Sequence, residues 1–182
     1  MAHFWNPGHL MPLVEVVPGK DTAPEVVDTT FDLMASIGKK PAKIKKESLG
    51  FVGNRMQLAL LREAFNIINE GIADAETVDT VVRYSLGRRW NLVGPVASAD
   101  LGGLDTFYNI STYLFKDMDN GTEPSPLLAW KVQDGNLGTK TGRGFYEWQG
   151  EDGQRIIRER DEQLMQQLAE DAAVEDADCK SE

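Results

Sequence analysis

The spacing of apolar residues changes character once along this chain, near Gly50, and that change limits the fold more than any other feature. Before it, Leu13 to Val17 (LVEVV) is a β-branched run closed by Pro18 and Gly19, which is how a short buried strand ends. Ala23 to Ile37 follows, with Val26, Val27, Phe31, Leu33, Met34 and Ile37 on adjoining turns. Pro24 lies where a first helical turn tolerates it, and Gly38 is the stop. Ala42 to Lys45 then alternates apolar and charged side chains. Residues 13–45 therefore read as strand, helix, strand, the order of an α/β layer. Two strands and one helix leave sheet edges unpaired and one face uncovered, so this segment is expected to be the end of a larger domain.

After Gly50 only helices are predicted. Gly53 to Glu70 repeats Met56, Leu60, Ala64, Ile67 and Ile68 at intervals of three and four, and Leu61 and Phe65 widen the stripe. Such a segment spans ~27 Å, enough to cross a small domain, and is expected to be its core helix. Gly71 ends it. Asp74 can cap a second helix carrying Val78, Val81 and Val82 and stopping at Gly87, and Pro95 can open a third. Leu101 to Phe115 and Ser125 to Gln133 supply further helical stretches. Gly138, Gly142 and Gly144 punctuate a loop before Phe145, Tyr146 and Trp148. The expected organisation is a strand–helix–strand piece at 1–47, a helical domain at 48–150 and an acidic peripheral segment at 151–182.

Charge excludes some partners. Among 182 residues, 19 basic and 29 acidic side chains give a net charge of −10, which repels phosphate backbones and anionic bilayers. Neither nucleic acid nor a membrane is an expected partner. Residues 151–182 carry most of the acidity, and a helix over Ile156 to Ala173 followed by a frayed end is expected there. The one cysteine, Cys179, rules out an internal disulfide and a Cys-rich metal site. With no apolar run of membrane-spanning length and no secretory leader pattern, a cytoplasmic protein is expected, and the glycosylation sequons at Asn109 and Asn120 read as chance matches.

Reactive groups gather in one short segment, HFWNPGHLMPLVE, which holds His3, Asn6, His9 and Glu15. An imidazole becomes a useful general base when a carboxylate orients one ring nitrogen and stabilises the imidazolium, leaving the other nitrogen for substrate. His3 and Glu15 form such a pair if the Asn6–Pro7 turn and Pro12 fold the segment back on itself. Spacing alone leaves two other readings open: a terminal histidine beside an edge-strand carboxylate, and a metal site using His3, His9 and Glu15.

Five blocks, HFWNPGHLMPLVEVV, GFVGNRMQLALLREA, GRRWNLVGP, DLGGLD and KTGRGFYEW, resemble in order and spacing the C-terminal half of the L-3-hydroxyacyl-CoA dehydrogenases, from residue 3 to about residue 148. The resemblance implies a mainly α chain. Its helical C-terminal domain would be of the 3-hydroxyacyl-CoA and 6-phosphogluconate dehydrogenase type, preceded by a strand–helix–strand remnant of a Rossmann-like NAD-binding domain. It implies His3 as catalytic base, Glu15 as its orienting carboxylate, and Asn54 as a catalytic residue that contacts the substrate; Asn6, in the same segment as His3, is expected to bind substrate as well. Asn54 lies in the first turn of the long helix, where its amide suits a carbonyl oxygen.

The implied reaction is reversible oxidation of an L-3-hydroxyacyl-CoA of the β-oxidation type: His3 takes the hydroxyl proton while hydride leaves the same carbon for NAD. Implied partners are the acyl-CoA substrate, a second copy bound through the helical domain, and a nucleotide-binding half acting in trans. Relatives of this architecture also oxidise other hydroxy acids, sugar acids or carnitine.

The chain departs from the family pattern in having no GxGxxG, so on its own it is expected to bind no dinucleotide and to be inactive, a substrate-binding and dimerisation half or a non-catalytic module. It also lacks the family's substrate-binding serine and the strand that delivers the histidine. His3 is therefore expected to fray, and Met1–Ala2 to mark an artificial or split-gene start.

Two weaker signals are set aside. Ser36 and Lys39 (SxxK) with Lys140–Thr141–Gly142 imitate a penicillin-interacting serine site, but Ser36 closes a helix where the nucleophile should open one. Gly138 to Thr141 lacks the register of a phosphate loop and reads as a turn. Lys39, Lys40, Lys43, Lys45 and Lys46 form a basic patch, read as protection of a sheet edge.

Overall fold

A computed structural model describes residues 1–179 of the chain. It comprises two compact units, one of residues 1–56 with 148 onward and one of residues 57–147.

The first unit is built on a three-stranded sheet. β1 (Ala2–Phe4) pairs antiparallel with β2 (Leu13–Val16), and β2 pairs parallel with β3 (Lys40–Lys43), in the order β1-β2-β3. The LVEVV run thus occupies the centre, as its continuous β-branched character requires. Val14, Glu15, Val16 and Val17 are each at most 2% exposed, and Leu10 completes this small core. α1 (Pro24–Ser36) connects β2 to β3, with Pro24 in its first turn and Gly38 at φ 74° reversing the chain behind it. Ser36 closes α1 with its hydroxyl donating to the Leu33 carbonyl, which agrees with a structural role.

Two details differ from the sequence reading. β3 begins at Lys40 rather than Ala42 and contains Pro41. The N–H groups of Lys40 and Ile44 donate to the carbonyls of Pro12, just before β2, and Val16, at its end, so strand alternation turns the nitrogen of Pro41 toward the unpaired edge, where a missing donor costs nothing. The second difference is β1 itself. His3 is not frayed: the terminal amine donates to the Val17 carbonyl at 2.6 Å and the Val17 N–H donates back to the Met1 carbonyl at 2.8 Å. These bonds extend the β1–β2 pairing to Met1 and hold that end of the strand.

α2 (Gly53–Asn69) begins in the first unit and continues into the second. The second unit continues with α3 (Ala75–Tyr84), whose N-cap Asp74 accepts from the Thr77 N–H at 2.8 Å. α4 (Leu86–Gly102) is broken at Gly94 (φ 71°, ψ 169°), so Pro95 does open a helix, while residues 86–93 form a helical stretch that the Gly87 stop signal hides. Gly103, at φ 89°, separates α4 from α5 (Leu104–Leu114), and α6 (Pro126–Gln133) precedes a glycine-rich loop with bridges Gly138↔Arg143 and Arg143↔Glu147. Thr141 donates its N–H to the Gly138 carbonyl in a turn. Within this unit Phe65 stacks on Phe145 with centroids 5.4 Å apart, and the Tyr146 hydroxyl donates to Asp79 at 2.7 Å. Burial and then Asp79 push the Tyr146 phenol well above the usual tyrosine range.

The expectation of α2 as a buried core helix is corrected. None of its residues is buried, and Met56 and Leu58 are 53% and 56% exposed. Its apolar stripe is wider than the helices of the unit cover, so periodicity identified the helix and overstated its enclosure.

α7 (Gly150–Cys179) follows in the first unit. It starts earlier than the expected Ile156 and runs past Ala173, because its charges pair along the helix: Arg155 meets Asp152 and Glu159, and Gln166 donates to Glu170. The rest of the expected frayed end, residues 180–182, lies outside the described residues. No described helix is long and apolar enough to cross a membrane.

Candidate functional site

His3 and Glu15 are direct cross-strand partners of β1 and β2. Opposed residues of an antiparallel pair project from the same face of the sheet, so register alone brings the two side chains together. His3 Nδ1 lies 2.9 Å from Glu15 Oε2. The carboxylate is 2% exposed and the imidazole 28%, so the acid is enclosed while the ring keeps one side open. The other carboxylate oxygen, Oε1, accepts from the backbone N–H groups of Val52 and Gly53, each at 3.0 Å. These donors belong to the start of α2, where the first amides have no partner inside the helix and the dipole favours negative charge.

Burial acts most strongly on Glu15 and opposes its ionisation. The Gly53 N–H, His3, the Val52 N–H and Trp5 together outweigh that effect and hold the carboxyl below the ordinary value of 4.5. The indole N–H of Trp5 is buried and lacks a well-formed hydrogen bond, so its share in this is the smallest.

The loop entering α2 is shaped for this contact. Phe51 has φ 48°, the left-handed region, in the company of Gly50 at φ 76°. A bulky residue there costs roughly 1–3 kcal/mol. The Phe51 ring packs on the imidazole with centroids 5.3 Å apart, and Trp5 packs on it at 6.3 Å. Trp5 also closes over Gly53: a Cβ on Gly53 would stand 2.1 Å from its Cζ2 atom. Glycine is required at the residue whose N–H reaches Glu15.

Asn54 follows Gly53 in the first turn of α2, half-buried, and its amide makes no hydrogen bond among the described residues. The fold thus gathers His3, Glu15 and the helix start that carries Asn54. Asn6 stands exposed at the turn after β1, where the Asn6–Pro7 peptide is cis, and His9 is exposed in the same turn. Among the described residues no group of three His, Cys, Asp or Glu side chains is placed to hold a metal ion. Val52, Gly53, Phe51 and Trp5 were not singled out by sequence reasoning. The GFVGNR block flagged only its asparagine, and the amide contacts, spanning 37 and 38 residues, leave no local signature.

α1 opens with Pro24, which has no N–H to offer, and carries the Glu25 carboxylate in its first turn. What the arrangement can do is move a proton. With Nδ1 held by Glu15, Nε2 of His3 is the nitrogen left for an incoming hydroxyl.

Comparisons with known proteins identify the relatives of this chain. Residues 1–48 match the model of the 3-hydroxyacyl-CoA dehydrogenase NAD-binding domain, and residues 50–148 match that of its C-terminal domain. The chain is 37% identical over 163 residues to 5-formyl-3-hydroxy-2-methylpyridine 4-carboxylate 5-dehydrogenase of Mesorhizobium japonicum, covering 90% of this chain and 53% of the relative. It is 37% identical over 147 residues to a probable 3-hydroxybutyryl-CoA dehydrogenase of Deinococcus radiodurans, covering 80% and 51%. The crystal structure of a 5-formyl-3-hydroxy-2-methylpyridine 4-carboxylic acid 5-dehydrogenase, described as an NAD+-dependent dismutase, superposes with a TM-score of 0.87 at 36% identity, over 96% of this chain and 55% of that one. The chain spans about half the length of these relatives.

Two outcomes test the site. Glu15 has a depressed folded value, so its stabilising contribution is fully present above pH 4.5 and is lost as pH falls through the lowered value. Urea unfolding across that range should show the stability gap between wild type and Glu15→Gln shrinking on acidification; a gap that widens would contradict the bonding described. Gly53→Ala should lower stability by roughly 1–3 kcal/mol through the clash with Trp5, more than the ~1 kcal/mol that alanine gains in a helix, as read by thermal or urea unfolding. From the two matched domain models and the shared length with its relatives, the chain belongs to the 3-hydroxyacyl-CoA dehydrogenase family, an NAD-dependent family acting on CH–OH groups.

Proposed function

We propose that this chain is the proton-handling and substrate-binding part of an NAD-dependent dehydrogenase that oxidises a 3-hydroxyacyl-CoA to the 3-oxoacyl-CoA. The observation that carries this reading is the enclosed pair at 2.9 Å, with Glu15 held anionic by two backbone donors and His3 left open on one side. As the substrate's C–OH becomes C=O, the hydroxyl proton passes to His3 Nε2, and Glu15 stabilises the imidazolium that forms. Asn54, at the positive end of α2, donates its amide to the substrate carbonyl, and Asn6 contributes a further polar contact at the rim. The hydride acceptor, NAD, is supplied by a nucleotide-binding half outside these residues, and this chain alone holds none. A specific observation favours a second reading of the substrate. The structure that superposes over 96% of the chain belongs to an enzyme named for a formyl-bearing pyridine carboxylate, so a compact aldehyde or another hydroxy acid is the alternative to an acyl-CoA.

The experiment mixes the chain with a separately expressed nucleotide-binding half of a relative and follows NADH with 3-hydroxybutyryl-CoA, carnitine and the pyridine substrate in turn. Turnover is expected, and His3→Gln and Glu15→Gln should each lower kcat by about 10²–10⁴ with the fold unchanged. No turnover from a mixture shown to associate would remove the enzyme reading and leave that of a non-catalytic helical module.

We also propose a homodimer formed through the helical unit. Leu92, Val96 and Leu101 of α4 are 82%, 78% and 79% exposed, and apolar surface of that extent marks an association face. Sedimentation equilibrium should give a dimer for the wild type and a monomer for a Val96→Lys, Leu101→Glu double variant; a monomeric wild type at assay concentrations would refute it.

A further inference from the structure

Three observations converge on Phe51, a residue that the proton transfer itself does not use. It is the only non-glycine at positive φ among the described residues. Its ring lies 5.3 Å from that of His3 at an interplanar angle of 59°. The two residues that follow it supply both N–H groups that reach Glu15 Oε1. Glycine would adopt this backbone without penalty, and asparagine with little. A turn alone would therefore need neither the ring nor the strain. A disfavoured conformation persists where the surroundings hold it, and such positions cluster at working sites.

We infer that Phe51 is a positioning residue that fixes both members of the His3–Glu15 pair at once: its left-handed backbone aims the Val52 and Gly53 amides at the carboxylate, and its ring holds the plane of the imidazole. Trp5 supplies a second ring contact, at 6.3 Å, but its backbone takes no part in presenting the donors. The consequence lies in the histidine tautomer. Which ring nitrogen carries the proton is set by the hydrogen bond the other one makes. An imidazole held in plane keeps its proton on Nδ1, facing Glu15, and leaves Nε2 as the acceptor. A ring free to rotate loses that selection.

This rests on reading His3 and Glu15 as the reacting pair, yet its deciding readout is the state of the His3 ring, and turnover serves only to tell the two readings apart. The chain has two histidines, and exposed His9 serves as the internal reference for nitrogen-15 NMR of the full chain. In the wild type, neutral His3 should show a protonated Nδ1 and an unprotonated Nε2, while His9 shows a solvent-averaged mixture. Phe51→Gly retains the backbone conformation and removes the ring. The Val52 and Gly53 amide resonances should stay in place while the His3 signature moves to that of His9. Phe51→Tyr, which keeps the ring, should retain the wild-type signature. Phe51→Val disfavours the left-handed backbone and should displace the two amide resonances; if it fails to fold, the glycine variant decides alone.

A His3 tautomer unchanged in Phe51→Gly would overturn the proposal. If that result came with His3→Gln abolishing turnover, the pair would stand as the reacting groups and only the role of Phe51 would fall. A lost tautomer preference with His3→Gln still active would do the reverse.

Discussion

A carboxylate enclosed in a protein organises everything around it, because the charge has no water to answer it. Glu15 is 2% exposed and lies at the centre of a three-stranded sheet. Withdrawing such an ion from water costs several kcal/mol, and a hydrogen bond to a charged group returns roughly 1.5–3 kcal/mol. One donor is insufficient; three are present, and they come from different parts of the chain. β1 brings His3 by cross-strand register, and the start of α2 brings two amides from nearly forty residues away. The acid therefore ties the terminal strand, the central strand and the helix entrance into one unit. Removing it would leave aligned N–H groups aimed at nothing.

The same requirement explains the local sequence around the helix entrance. Glycine at position 53 lets the backbone come close enough to donate while Trp5 covers it. Gly50 and Phe51 turn the chain so that consecutive amides face the same oxygen. The strained phenylalanine is the price of a junction that must both present donors and pack against an imidazole. In this unit packing and electrostatics are served by the same few residues, which is why the core can be as small as Leu10 and three valines beside the acid.

Much of this was legible from residue order. The LVEVV run, the Pro24 and Gly38 limits of α1, the long α2 and the Asp74 cap follow from local rules that the fold respects. Pairing of His3 with Glu15 was one of three readings that the spacing left open, and the family resemblance, rather than the turn or the strand, pointed to it. What escaped reading depends on distant contacts. β1 is three residues long, and only its bonds to Val17 and its register with β2 make it a strand. The enclosure of α2 was overestimated because a 3.6-residue period says which face is apolar and not what covers it. The amide donors to Glu15 are backbone atoms, invisible to any search of side-chain motifs.

The division between the units carries a structural consequence. All groups that hold the His3–Glu15 pair, from the two side chains themselves to the Val52 and Gly53 amides, lie within residues 1–56. An ion pair whose partners are this local keeps its geometry through the sheet and the helix entrance alone. The electrostatics of the pair are thus set by the sheet and the helix entrance, which enclose the acid and leave one side of the imidazole open.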